Sequence, residues 1–120
     1  MVPTTVRDRV RQMDARIARA LALIEKNPNM PPESLAAAAN LSMSRLRYLF
    51  RLHTSTPLAA YMRSRRLAAA EELLRHTFFT VKEVAATSGF AGQSHFVRTF
   101  RRQFGLPPAT YRQAVNSRNE

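Results

Sequence analysis

Apolar residues recur three or four positions apart through most of the chain, the period of an α-helix buried along one side. Val6, Val10, Met13, Ile17, Leu21 and Ile24 keep this spacing and predict a first helix over residues 5–26. Its other positions hold Arg7, Arg9, Arg11, Arg16 and Arg19, mixed with Asp8 and Asp14. Asn27-Pro28 ends it, because proline cannot continue a helix and pushes the preceding residue out of the α region. A short alanine-rich helix is expected over residues 33–39, then a bend at Asn40, a residue that tolerates the left-handed conformation. Ser42 is the expected N-cap of a third helix over residues 43–53. Thr56-Pro57 opens a fourth, with proline in its first position, running to His76 through Leu58, Tyr61, Met62, Leu67, Leu73 and Leu74. Thr80-Val81-Lys82-Glu83 has capping-box spacing and starts a fifth helix, which Gly89 ends. A sixth is expected over residues 92–104, closed by Gly105, and a short seventh follows Pro107. No segment alternates as a strand does, so the expected fold is all-α with about seven helices.

The two halves of the chain resemble each other. At an offset of 50, Leu46 matches Phe96, Phe50 matches Phe100, Pro57 matches Pro107 and Tyr61 matches Tyr111. Just upstream the offset is 49. There Leu35 matches Val84, Ala36-Ala37 match Ala85-Ala86, Asn40 matches Gly89 and Leu41 matches Phe90. Each copy is a short helix of small residues, a tight turn and a longer helix. That is a helix-turn-helix layout, in which the second helix enters the major groove of DNA. The expected division is residues 1–56 for the first helix and first unit, 57–76 for a linker helix, and 77–120 for the second unit.

Charge narrows the choice of partner. The 120 residues carry 19 Lys+Arg against 8 Asp+Glu, a formal net charge of +11, which favours a polyanion. With 45% hydrophobic residues in periodic array, a disordered tail is not expected. The chain has no cysteine, so thiolate metal sites, disulfides and thiol nucleophiles are excluded. No apolar run approaches the ~18–20 residues of a membrane span. No signal peptide pattern opens the chain. Three glycines are too few for the usual phosphate-cradling loops.

A helical projection sorts the two second helices into inner and outer sides. In the first, Leu46, Leu49 and Phe50 point inward, while Ser44, Arg47, Tyr48 and Arg51 point outward with Arg45 on the flank. In the second, Phe96, Phe100 and Phe104 point inward. Ser94, Arg98, Arg101 and Arg102 point outward, with His95 and Val97 at the edges and Gln93 nearer the buried side. Neither stretch 42–70 nor stretch 90–119 contains a single Asp or Glu, so both outer faces are free of groups that phosphates repel. Arginine suits guanine O6/N7 and phosphate because its planar fork makes paired hydrogen bonds. The predicted linker of 19 residues would be roughly 28 Å long at ~1.5 Å per residue. Successive major grooves on one side of B-DNA lie about 34 Å apart. One chain is therefore expected to read two unlike segments about one turn apart, without a palindrome.

Residues 89–112, Gly-Phe-Ala-Gly-Gln-Ser-His-Phe-Val-Arg-Thr-Phe-Arg-Arg-Gln-Phe-Gly-Leu-Pro-Pro-Ala-Thr-Tyr-Arg, resemble the C-terminal signature of the AraC/XylS family of bacterial transcription regulators. Leu41-Ser42, Leu46, Leu49-Phe50, Arg65-Arg66-Leu67-Ala68 and Leu73-Leu74 resemble the family's first motif and linker helix. The resemblance implies a seven-helix domain with two helix-turn-helix units flanking a linker helix, and binding to promoter DNA, usually with activation through RNA polymerase. Carried over by position, it makes Ser44, Arg47 and Tyr48 base-reading candidates in the first unit. In the second they are Gln93, Ser94, His95, Val97 and Arg98. Arg45, Arg51, Arg101 and Arg102 are expected at phosphates, where contacts position the protein without specifying sequence. Asn40 and Ser55 stand where glycine is frequent in the family.

Other classes leave weaker traces. His53, His76 and His95 lack metal-ligand spacing, no nucleophile motif occurs, and Glu71 is expected to pair with Arg75 one turn on. Neither catalytic residues, nor a metal, nor a cofactor is expected. A helical adaptor for an acidic protein would account for the charge but not for the repeat or the acid-free faces; a non-specific DNA-compacting protein is a further alternative, for which random DNA would compete equally. The expected setting is the bacterial cytoplasm, on the nucleoid. The first predicted helix begins a few residues from Met1, so the expectation is either a stand-alone regulator that binds DNA as a monomer, or a fragment whose sensor domain, if dimeric, would make it a dimer.

Overall fold

The computed structural model describes residues 13–119, and among these there are seven helices and no strand. They are α1 Ala15–Lys26, α2 Pro32–Ala38, α3 Met43–Thr54, α4 Leu58–His76, α5 Val81–Thr87, α6 Gln93–Phe104 and α7 Pro108–Asn119. The all-α expectation holds. The chain divides into two compact units, with the boundary between Met62 and Arg63 inside α4.

The helix predicted over residues 5–26 is interrupted at Asp14, and α1 starts after it. Asp14 has non-helical backbone and caps α1: its carboxylate accepts from the Arg16 backbone N–H at 2.8 Å and from the Arg16 guanidinium at 2.8 and 3.1 Å. Aspartate satisfies an orphan donor better at this position than inside a turn, so the helix starts after it. The expected helical positions Val6, Arg7, Asp8, Arg9, Val10 and Arg11 lie outside the described residues. Smaller shifts occur elsewhere. α2 starts on Pro32 and ends at Ala38, and Pro57 caps α4 through its carbonyl, which accepts from Tyr61 N–H at 3.0 Å, rather than occupying the first turn. α7 is not short; its 12 residues equal those of α6.

The repeat is visible bond for bond. After α2, Leu41 N–H donates to Ala36 O at 3.0 Å and Asn40 N–H to Ala37 O at 3.1 Å. After α5, Phe90 N–H donates to Ala85 O at 3.0 Å and Gly89 N–H to Ala86 O at 3.2 Å. Both are Schellman closures, which need a left-handed residue at the turn. Asn40 (φ 57°) and Gly89 (φ 83°) supply it. α3 and α6 then end on a second left-handed pair, Ser55 (φ 60°) and Gly105 (φ 85°). Thr80 and Glu83 form the capping box that starts α5, with bonds of 3.0 and 2.9 Å.

Each unit has its own core. In the first, Ile17, Ala20 and Ile24 of α1, Leu35 and Ala36 of α2, Leu46, Leu49 and Phe50 of α3, and Leu58 and Met62 of α4 are buried together. In the second, Leu67, Ala70 and Leu74 of α4 pack with Val84, Ala85, Phe96 and Phe100. Phe50 meets Tyr61 edge-on at 5.3 Å, and their counterparts Phe100 and Tyr111 do the same at 5.4 Å. The Tyr111 hydroxyl donates to Glu71, the residue expected to pair with Arg75 one turn on. Arg75 belongs to the same cluster, its pKa raised first by a hydrogen bond with Tyr111 and further by the field of Glu71. Arg112 locks α7 to the end of α4 by donating to Leu74 O at 3.0 Å and Thr77 O at 3.4 Å.

Candidate nucleic-acid interface

Two helices carry the candidate residues, and each is aimed by its own turn and core. Ser42 caps α3 by accepting from Arg45 N–H at 3.1 Å, and Leu46, Leu49 and Phe50 fix which side is buried. Ser44, Arg45, Arg47, Tyr48 and Arg51 are all exposed, Tyr48 to 59%. The Arg45 guanidinium lies 5.4 Å from the centre of the Tyr48 ring, which orients both side chains by cation–π attraction. No acid stands on α3, so its surface potential is set by Arg45, Arg47 and Arg51.

α6 starts after Gly92, whose backbone is extended and gives no side-chain cap, leaving the first turn open. Phe96, Thr99 and Phe100 form its buried side, and Phe104 is partly covered. Thr99 Oγ1 donates to His95 O at 2.7 Å. Gln93, Ser94, His95, Arg98, Arg101 and Arg102 are exposed and Val97 is half-buried. The helical projection puts Gln93 nearer the buried side, whereas the structure exposes it. It is exposed because side chains on a helix lean toward the N-terminus, so a first-turn residue projects past the end of the packed surface.

A family model described as a helix-turn-helix domain matches residues 35–114. The DNA-binding domain of AdpA, solved in complex with a target DNA, is 30% identical with a TM-score of 0.79, over 86% of this chain and 95% of that one. The transcriptional regulator GbdR of Pseudomonas aeruginosa is 33% identical over 82% of this chain and 27% of its own length. The transcriptional activator RhaS of Escherichia fergusonii is 34% identical over 83% of this chain and 37% of its own. The chain belongs to the AraC/XylS family. It thus spans between about a quarter and two fifths of the length of these curated relatives.

As an AraC-type domain, the chain keeps its candidate residues on exposed second helices in both units, free of acidic neighbours in sequence. Among the described residues no three His, Cys, Asp or Glu side chains gather as a metal would require, and no helix is long and apolar enough to cross a membrane. Sequence reasoning missed Leu52, which is 60% exposed one turn beyond Tyr48 on α3. The projection that turned Tyr48 outward turns Leu52 outward too, so the signal was present. It also missed Phe78, fully exposed in the loop before α5, and the contact of Arg66 with Phe90. Nothing in a linear pattern joins those two positions.

Proposed function

We propose that this chain binds an asymmetric promoter site on double-stranded DNA, with α3 and α6 in adjacent major grooves, and regulates transcription, most simply as an activator that contacts RNA polymerase. Ser44, Arg47 and Tyr48 read bases through α3, and Gln93, Ser94, His95, Val97 and Arg98 read them through α6. Arg45, Arg51, Arg101 and Arg102 hold phosphates. The observation that carries the reading is the duplication of one surface: an exposed, arginine-bearing, acid-free second helix in each of two matched units. Membership of a family of transcription regulators supports it, as does the likeness to a domain solved on its target DNA. The reading implies no enzymatic activity and no cofactor, and places the protein on the chromosome in the cytoplasm. It binds DNA as a single chain, and would be paired only through a sensor domain.

The chemistry at each contact predicts how variants separate. A bidentate arginine on guanine discriminates its base pair, whereas an arginine on phosphate adds affinity to every sequence. Arg47→Ala and Arg98→Ala should each cost about 1–3 kcal/mol on the specific site and relax preference at particular base pairs. Arg101→Ala should weaken all duplexes alike. Four phosphate contacts give a slope of log affinity against log salt of about −4. Binding to a randomised duplex library, with a salt titration, measures all of this. If Arg47→Ala and Arg98→Ala lower affinity evenly across the library, the two helices do not read bases.

A further inference from the structure

Arg66 of α4 sits in a setting that costs energy. It is half-buried, its Nε is sealed from solvent with no hydrogen-bond partner, and its guanidinium carbon lies 5.9 Å from the centre of the Phe90 ring. Burial, followed by repulsion from Arg63, draws its pKa below that of an ordinary arginine. A plain aliphatic side chain would cover the ring without that desolvation. What the arginine adds is attraction to the face of an aromatic ring, which fixes the ring as well as covering it.

Phe90 is placed to pass that constraint on. Its backbone is held by the Schellman bond to Ala85 O. Its ring lies 5.1 Å from the buried ring of Phe96 and 5.9 Å from the exposed imidazole of His95, tilted 49° to it. His95 stands in the first turn of α6, on the outer face. Its carbonyl is already engaged by Thr99, so the backbone there is fixed and the side-chain torsions remain to be set. The counterpart of Phe90 in the first unit is Leu41, which has no ring to pass an orientation through.

We infer that Arg66 is a positioning residue for the second reading helix: by holding the Phe90 ring it fixes the direction in which the His95 imidazole leaves α6. This rests on the reading of His95 as a base contact. It assigns sequence discrimination to a side chain of the linker helix that itself touches no base.

The full chain without DNA gives the first test. In Arg66→Met, which keeps the stem and removes the charge, the imidazole proton resonances of His95 should shift while far-UV dichroism stays unchanged. Should Arg66→Met fold poorly, Phe90→Leu stands in on the duplex library alone, because loss of the ring itself moves the His95 resonances whatever their orientation. On a randomised duplex library both variants should flatten, by about two- to fivefold, the preference that His95→Ala abolishes. The salt slope should stay that of the wild type. Unmoved His95 resonances overturn the inference. So does an even loss over all sequences with the salt slope smaller by about one, which would make Arg66 a phosphate contact. If the resonances move but His95→Ala changes no preference, the base-reading role of His95 falls, and the specificity role of Arg66 with it.

Discussion

At the scale of single residues, the two copies of the repeat answer the same backbone demand differently. α3 and α6 both end on a left-handed residue, Ser55 at φ 60° in one copy and Gly105 at φ 85° in the other. For a residue with a Cβ this conformation costs roughly 1–2 kcal/mol, and glycine avoids it. A Cβ added at Gly105 meets nothing within 4 Å, so strain there comes from the backbone alone. Ser55→Gly should therefore stabilise the fold by about 0.5–1 kcal/mol, part of the relief being returned to glycine's freer unfolded chain. Gly105→Ser should destabilise it by about 1 kcal/mol. Urea denaturation of both variants decides the matter. A neutral Gly105→Ser would mean that the turn relaxes out of the left-handed region when a side chain is present.

At the scale of elements, capping decides where α1 begins and links that end to pH. The hydrogen bond from the Arg16 side chain, then that from its backbone N–H, lowers the Asp14 pKa from an ordinary 3.8 to about 2. The folded value lies below the unfolded one, so this contribution is complete above pH ~4 and is lost as pH falls through about 2. Asp14→Asn keeps a capping acceptor that cannot titrate. Wild type should be the more stable of the two above pH ~4 and should converge with the variant near pH 2, measured by thermal unfolding across that range. Equal stability at every pH would remove the ion pair from the cap.

Sequence patterns made most elements legible for reasons that also explain the misses. Phenylalanines four apart leave α6 one buried side, and the 49/50 offset carries the turns of one unit onto the other. The start of α1 was hidden because Val10, Met13 and Ile17 keep helical spacing straight through Asp14, and periodicity does not register a cap. Gln93 was misplaced because an ideal projection ignores the backward lean of side chains at a helix end. The length of α7 was unreadable for a different reason: Pro108 marks its start, but no glycine or proline after it marks a stop. The outer faces of α3 and α6 followed from their inner faces, whereas the Arg66–Phe90 contact joins residues 24 apart and needs the folded chain to be seen.

At the scale of the molecule, the proposed reading requires the second helices of the two units to act on DNA together. α4 runs unbroken through the boundary between the units, with Met62 in one core and Leu67 in the other. On the proposed reading it must fix the phase of α6 relative to α3, since each has to face its own groove. A single alanine inserted between Met62 and Arg63 advances everything beyond it by ~1.5 Å and ~100°. Neither core loses a side chain, so thermal unfolding should change little. Specific affinity should fall by about a hundredfold or more, since the base contacts of α6, worth about 1–3 kcal/mol each for a bidentate pair, are lost, while random duplex, whose binding has no base contacts to lose, should weaken far less. Footprinting should show protection shrinking from two segments about one turn apart to a single segment. A non-specific compacting protein would be indifferent to the insertion, and an adaptor for an acidic protein would show no footprint before or after it. Full affinity retained by the inserted chain would mean that the units read DNA independently, and the adjacent-groove arrangement would have to be abandoned.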